Sequence, residues 1–182
     1  LSLEEQGEGV VEESLVKRVP SHQLDRPVED RRKLLHGGVE FAAVSEATEA
    51  RLAAVLEPGL DPINPLDAWG TGNGAEGIYK ECLRALDADP ATGLTVFACD
   101  LYPSDEADFF YPEVVRATLD ALQNPLVWVV HLSASTSRPQ AKALRAMGIP
   151  VLMGTETGLR AIAHAVGYAR LQRRMREQTR VQ

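Results

Sequence analysis

The 182-residue chain contains few cysteines, few aromatic residues and no long apolar run. Its two cysteines, Cys82 and Cys99, provide neither a disulfide framework nor the spacing of a metal site, which favours a reducing compartment. No segment approaches the roughly 20 apolar residues of a membrane span, and no signal-peptide pattern is present. We therefore expect a cytoplasmic chain with no membrane partner and no bound metal.

Basic charge is scarce over most of the chain. The net charge is −7, and it divides into −2 for residues 1–38, −9 for residues 39–169 and +4 for residues 170–182. Because nucleic-acid binding needs clustered Lys and Arg over a whole face, we expect no nucleic acid as partner. Residues 173–182 are predicted to be a basic helix end or linker.

Strand and helix patterns alternate from residue 39 onward. Helices separate the apolar strand patterns, and Ser45 is predicted to cap the first helix. The predicted strands are at residues 39–44, 94–99, 126–132 and 149–153. Such alternation indicates an α/β fold with a doubly wound parallel sheet, in which ligands gather at the carboxyl ends of the strands.

The most distinctive segment is the loop at residues 63–74, whose sequence is INPLDAWGTGNG. Pro62 and Pro65 favour extended backbone, and glycines near the start of a helix allow N–H groups to face an anion. A plain turn with a helix cap is the alternative interpretation. The candidate residues for a domain-interface or anion-binding loop are Asn64, Asp67, Trp69, Thr71, Gly72, Asn73 and Gly74.

Polar residues at the predicted strand ends form a second candidate site. Hydroxyls, helix N–H groups and a guanidinium suit an anion, although hydroxyl-rich turns also serve as helix caps. His131 is expected to be a buried strand histidine, and no serine–histidine triad is indicated. The strand-end candidates are Asp100, Ser133, Ser135, Thr136, Ser137, Arg138 and Thr155.

With these residues laid out, the chain resembles the NDP-forming acyl-CoA synthetases, relatives of the ADP-forming acetate-CoA ligase and of succinyl-CoA synthetase. The resemblance covers about residues 38–172 and implies the second flavodoxin-like ligase domain of such an enzyme. Its most specific element is the Asn64-Pro65-Leu66-Asp67 motif. The other matching places are residues 41–48 with Leu52, residues 146–151 and the helix at residues 156–168.

The resemblance also implies what the complete enzyme does. It converts an acid, CoA and NTP to acyl-CoA, NDP and phosphate through an acyl phosphate and a phosphohistidine. CoA, ATP and Mg²⁺ are implied for the complete enzyme, and none is expected to be bound by this chain alone. The implied partners are the CoA-binding and ATP-grasp domains or subunits of the same enzyme.

The family pattern is incomplete in this chain. The family's relay histidine lies in a Ser-His-Thr-Gly-Ala type motif, whereas His22 stands in Pro-Ser-His-Gln-Leu, so no catalytic residue is assigned. The first strand and helix of the flavodoxin-like domain are not recognised in the sequence. Without them, the strand at 39–44 would lack a pairing partner and the next strand would have an exposed edge. Residues 1–37 are expected to be charged and mobile. We expect a truncated or frameshifted copy of a larger enzyme, inactive alone.

Two other functions remain open. One is a noncatalytic docking or assembly module for a separate CoA-binding subunit. The other is an unrelated flavodoxin-like or receiver-type domain, in which Asp100 would end a strand as a phosphoacceptor does. The receiver interpretation lacks the paired acidic residues expected at an earlier strand end.

Overall fold

The computed structural model describes residues 39–102 and 110–180. In this part of the chain, helices and strands alternate after an initial pair of helices. The helices are α1 (Glu46–Ala53), α2 (Ala75–Asp87), α3 (Tyr111–Thr118), α4 (Arg138–Ala146) and α5 (Thr155–Arg180). The strands are β1 (Thr95–Ala98), β2 (Leu126–Val130) and β3 (Val151–Met153), and short 3-10 turns occupy Leu119–Ala121 and Ser133–Ser135. The predictions for residues 1–37, including His22, lie outside the described residues.

The three strands form one parallel sheet in the order β1-β2-β3. Thr95 pairs with Leu126 on one side of β2, and Trp128 pairs with Val151 on the other. The central strand β2 is an unbroken apolar run, as expected for a parallel strand covered on both faces. The predicted α/β fold is confirmed as an open three-stranded parallel sheet flanked by helices, consistent with a partial flavodoxin-like domain.

The strand predicted at residues 39–44 is wrong, because this segment is irregular. The Ala42 carbonyl instead accepts a hydrogen bond from Asn64 Nδ2 at 2.9 Å, so the segment is tied to the candidate loop. Among the described strands, β1 pairs with β2 alone, which leaves its outer edge open. A segment is a strand only when it pairs with a neighbour, and residues 39–44 pair with none of the described strands.

The main core packs around an aromatic group on the sheet. Trp128 is fully buried, its Nε1–H donates to the Cys99 carbonyl at 2.7 Å, and its ring lies 4.8 Å from that of Phe97. The rings of Tyr79 and Tyr111 lie 6.0 and 6.2 Å from Phe97. The few aromatic residues of this chain therefore stabilise the sheet where helices α2 and α3 cover it.

Asp87, at the last turn of α2, joins this helix to the strands. Its side chain is 2% exposed. Its carboxylate accepts the Thr95 hydroxyl at 2.8 Å, the Gln123 N–H at 2.6 Å and the Asn124 N–H at 3.2 Å. One buried carboxylate thus links the end of α2 to the start of β1 and to the turn before β2.

Asp89 joins the same end of α2 to the start of α1. Its carboxylate accepts the N–H and the hydroxyl of Ser45, each at 2.8 Å, and the Ala91 N–H at 2.9 Å. The Ser45 N–H, then the Thr48 side chain and the Ala91 N–H, hold the pKa of Asp89 well below its ordinary value. Ser45 also caps α1, accepting the Thr48 N–H at 3.3 Å, so the predicted cap is confirmed.

Helix α5 covers the sheet with its first turns and continues to Arg180. At Gly158, a Cβ would lie 3.2 Å from Val129 Cγ1 and 3.3 Å from Leu152 Cβ, so glycine permits the close approach of helix and sheet. Ile162, one turn later, is buried. None of the described helices combines the length and apolar character needed to cross a membrane.

Candidate functional site

The loop at residues 63–74 is shaped by its own polar side chains. Asn64, whose peptide bond to Pro65 is cis, ties the loop to Ala42. Asp67 Oδ1 accepts the Trp69 N–H at 3.0 Å, a local bond typical of Asp in turns. These two side chains hold the loop while the Trp69 ring remains 49% exposed. The loop therefore presents a large apolar side chain on a fixed backbone.

Glu57, which sequence reasoning missed, occupies the glycine-rich end of this loop. Each of its carboxylate oxygens lies 2.9 Å from the Thr71 nitrogen, and Oε1 accepts the Thr71 hydroxyl at 3.1 Å. The Thr71 hydroxyl oxygen in turn accepts Asn73 Nδ2–H at 3.1 Å. A carboxylate of the same chain thus takes the position that an external anion was expected to hold at Thr71.

Glycine has a structural role at three positions of the loop. A Cβ at Gly70 would lie 2.5 Å from the Glu57 carboxyl carbon, so a side chain there would displace the carboxylate. Gly72 and Gly74 have φ of 84° and 68°, in the left-handed region that favours glycine. Gly74 is also the N-cap of α2 and, having no side chain, offers no side-chain cap.

The strand-end residues Asp100, His131 and Thr155 meet at the carboxyl edge of the sheet. Asp100 Oδ1 accepts the His131 N–H at 2.7 Å and the Leu132 N–H at 3.0 Å. His131 Nδ1 lies 3.0 Å from Thr155 Oγ1. His131 is exposed, so the expectation of a buried strand histidine is wrong; β2 ends one residue before it.

The hydroxyl-rich turn before α4 uses its polar groups locally. Ser137 caps α4 through a hydrogen bond from the Gln140 N–H, and the Thr136 hydroxyl donates to the Leu132 carbonyl at 3.1 Å. Ser133 and Arg138 are exposed, and Ser135 ends the short 3-10 turn. Within this turn, the observed bonds favour the capping interpretation.

The two cysteine thiols have pKa values raised by burial. Burial raises the pKa of the Cys99 thiol, which precedes Asp100, to about 12, and that of Cys82 to about 11. Both thiols are therefore protonated and poor nucleophiles at neutral pH. Residues 39–102 and 110–180 contain no group of three or more His, Cys, Asp or Glu side chains arranged to hold a metal ion.

Comparison with known proteins bears on the fold. No protein-family model matches the chain. No curated protein matches it either. Among solved structures, the chain is similar to PH0766 from Pyrococcus horikoshii OT3, with 21% sequence identity and a TM-score of 0.55. The similarity covers 72% of this chain and 30% of PH0766, so the chain spans less than a third of that protein.

Proposed function

We propose that this chain is the ligase-domain portion of an NDP-forming acyl-CoA synthetase and is inactive alone. The complete enzyme would convert an acid, CoA and NTP to acyl-CoA, NDP and phosphate through an acyl phosphate and a phosphohistidine. In this proposal, the chain contributes a docking surface, and the relay histidine lies on another part of the enzyme.

The observation that carries the proposal is the geometry of the Asn64-Pro65-Leu66-Asp67 loop, the most specific element of the family resemblance. The Asn64 side chain donates to the Ala42 carbonyl and the Asp67 side chain accepts the Trp69 N–H, so both side chains shape the loop. Ile63 and Trp69 are each about half exposed on it. Large apolar side chains held on a rigid loop are typical anchors of a protein interface.

The fold and its extent support the same proposal. Among the described strands, β1 has a partner on one side only, as expected of a domain whose first strand is supplied elsewhere. The chain also spans 30% of the similar solved structure, which suits a domain within a longer enzyme.

CoA, ATP and Mg²⁺ would be bound by the partner domains of the complete enzyme. Among the described residues, no group of three or more His, Cys, Asp or Glu side chains is arranged to hold a metal ion, and the proposal leaves the Mg²⁺ ligands to the partner domains. We therefore assign this chain no step that involves these groups. Its proposed contribution is to dock through the loop at residues 63–74.

A noncatalytic docking module for a separate CoA-binding subunit is the second candidate. The observation that favours it is that the Glu57 carboxylate already accepts hydrogen bonds from the Thr71 N–H and hydroxyl. If Glu57 stays in place in the assembly, the loop does not bind a phosphoryl group at Thr71, and its role is contact alone.

Reconstitution tests the proposal. The chain would be mixed with the CoA-binding and ATP-grasp parts of an NDP-forming acyl-CoA synthetase from the same organism, and acyl-CoA formation would be followed. We expect activity in the mixture and not in the parts, and reduced activity with Trp69→Ala. The matched control is Tyr168→Ala, an exposed aromatic on α5. Activity that is independent of the chain would contradict the proposal, while binding without activity would favour the docking module.

A further inference from the structure

At the glycine-rich end of the loop at residues 63–74, a carboxylate lies flat against the backbone. A Cβ at Gly70 would lie 2.5 Å from the Glu57 carboxyl carbon and 2.7 Å from each of the two carboxylate oxygens. Because these three distances are nearly equal, the Glu57 carboxylate presents its face, and not its edge, to Gly70. We call the surface that Gly70 and Thr71 form under this carboxylate the Gly70–Thr71 cradle.

Glycine at position 70 supplies space for the carboxylate. Gly72 and Gly74 have positive φ, whereas Gly70 does not. An alanine at position 70 would therefore avoid the strain of the left-handed region, and its Cβ would instead collide with the Glu57 carboxylate. Glycine is used in this way where a ligand approaches the backbone closely.

The cradle also supplies two hydrogen-bond donors. The Thr71 nitrogen lies 2.9 Å from each Glu57 carboxylate oxygen, and the Thr71 hydroxyl donates to Oε1 at 3.1 Å. Asn73 Nδ2–H donates to the Thr71 hydroxyl oxygen at 3.1 Å, so this oxygen has an acceptor role toward Asn73 and a donor role toward Glu57. Hydrogen bonds to an ionised acceptor are stronger than neutral ones. The cradle therefore fits an acid in its ionised form.

Glu57 reaches the cradle from outside the loop. It is half-buried, and it lies 14 residues before Thr71, after the end of α1. The ion pairs among the described residues do not include Glu57. Its carboxylate contacts are thus contacts that a free carboxylate could make as well. Glu57 differs from a free acid in its connection to the chain, which raises its effective concentration at the cradle.

We propose that the Gly70–Thr71 cradle is a binding site for a free carboxylate and that Glu57 is its internal occupant. The incoming carboxylate accepts the Thr71 N–H and hydroxyl and lies on Gly70, while the Glu57 side chain turns to solvent. This exchange releases the loop from the segment after α1, so Glu57 sets the concentration of acid at which the site responds. The site is independent of the proposed ligase role.

A titration with sodium acetate tests the proposal, with NaCl added to hold the ionic strength constant. NMR of the backbone amides follows the Thr71 resonance in the wild type, in Glu57→Ala and in Glu57→Gln. We expect a saturable shift at millimolar acetate in both variants, because neither retains the competing carboxylate. The wild type should need about tenfold more acetate, since Glu57 competes from within the chain.

Three further variants separate binding in the cradle from a general loss of negative charge. Asp61→Ala removes an exposed carboxylate near the loop, and it should respond to acetate as the wild type does. Gly70→Ala in the Glu57→Ala background places a methyl group where acetate would lie, and it should abolish the shift. Gly77→Ala in the same background adds a Cβ in open space, and it should retain the shift.

The proposal makes each of these outcomes decisive. No saturable shift at Thr71 in folded Glu57→Ala and Glu57→Gln would overturn it. A shift that persists when Gly70→Ala is added would also overturn it, because acetate would then bind outside the cradle. Equal acetate affinity in the wild type and in the two Glu57 variants would show that Glu57 is not the internal occupant.

Discussion

The carboxylates at the end of α2 and the carboxylates at the candidate loop all accept hydrogen bonds, but the first are buried and the second are exposed or half-buried. Asp87 and Asp89 are 2% and 3% exposed, and each accepts bonds that join separate elements of the fold. Asp67 is exposed and Glu57 half-buried, and they accept bonds from Trp69 and Thr71 within the loop region. The first pair holds the fold together, whereas the second pair shapes a surface.

The two pairs of carboxylates should therefore affect different properties of the chain. An unpaired buried donor costs more than an exposed one, because water cannot replace the lost partner. Substitution at the α2 end should therefore change the free energy of unfolding, and substitution in the loop should mainly change what the loop contacts. The four predictions below test this comparison.

Asp87→Ala should have the largest effect. It leaves the Thr95 hydroxyl and the Gln123 and Asn124 N–H groups without their acceptor. We expect the free energy of unfolding to fall by about 3–5 kcal/mol, measured by urea denaturation. The exposed Asp120→Ala should change it by less than about 0.5 kcal/mol. Equal effects of the two substitutions would show that the buried carboxylate does not hold the fold.

The stability that Asp89 contributes should depend on pH. Its folded-state pKa lies below the usual value of about 3.9, so the folded state favours the ionised form. The contribution is complete above about pH 5 and is lost as the pH falls through the lower folded pKa. The melting temperatures of the wild type and Asp89→Asn should therefore approach each other as the pH is lowered from 7 to 2. A constant difference in melting temperature would contradict the assignment.

Glu57→Ala should change the loop with a modest effect on stability. Loss of the carboxylate removes the acceptor of the Thr71 N–H and hydroxyl, at a cost of about 1 kcal/mol. Millimolar phosphate should leave the Thr71 amide resonance unshifted in the wild type and shift it in Glu57→Ala, since an anion position has been vacated. A phosphate shift at Thr71 in the wild type would mean that Glu57 does not occupy this position in solution.

Gly74→Ala and Gly77→Ala form the most closely matched test. Gly74 has φ of 68°, and a side chain there should cost about 1–2 kcal/mol. Gly77 lies in α2 with open space around it, so Gly77→Ala should stabilise by about 0.5–1 kcal/mol. Denaturation of the two variants should give effects of opposite sign. The same sign in both would remove the argument that the loop backbone requires glycine.

The fold was predictable from the sequence where patterns are long and local. The three described strands lie within a few residues of their predicted places, helices separate them as predicted, and Ser45 caps α1 as expected. The strand predicted at residues 39–44 was wrong because this segment pairs with none of the described strands. Strand formation depends on a pairing neighbour, which a local pattern does not reveal.

The sequence supplied candidate residues for the two sites but not the contacts of these residues. Asn64 and Asp67 were candidates for a domain-interface or anion-binding loop, and the structure shows that Asn64 bonds the Ala42 carbonyl and Asp67 the Trp69 N–H. The sequence did not identify Glu57, which lies 14 residues before Thr71 and is brought to it by the turn after α1. Asp87 and Asp89 were missed for a similar reason: several of their partners, such as Gln123 and Ser45, lie 36 and 44 residues away. No spacing rule connects such residues.

The most direct test of the proposed docking role is a binding titration of this chain with the CoA-binding part of an NDP-forming acyl-CoA synthetase from the same organism. Asn64→Ala, Asp67→Ala and Trp69→Ala would be compared with Tyr168→Ala. The docking account predicts that each loop variant weakens the affinity, with Trp69→Ala raising the Kd by about tenfold or more, while Tyr168→Ala leaves it unchanged. Equal affinities for all four variants and the wild type would contradict docking through the loop.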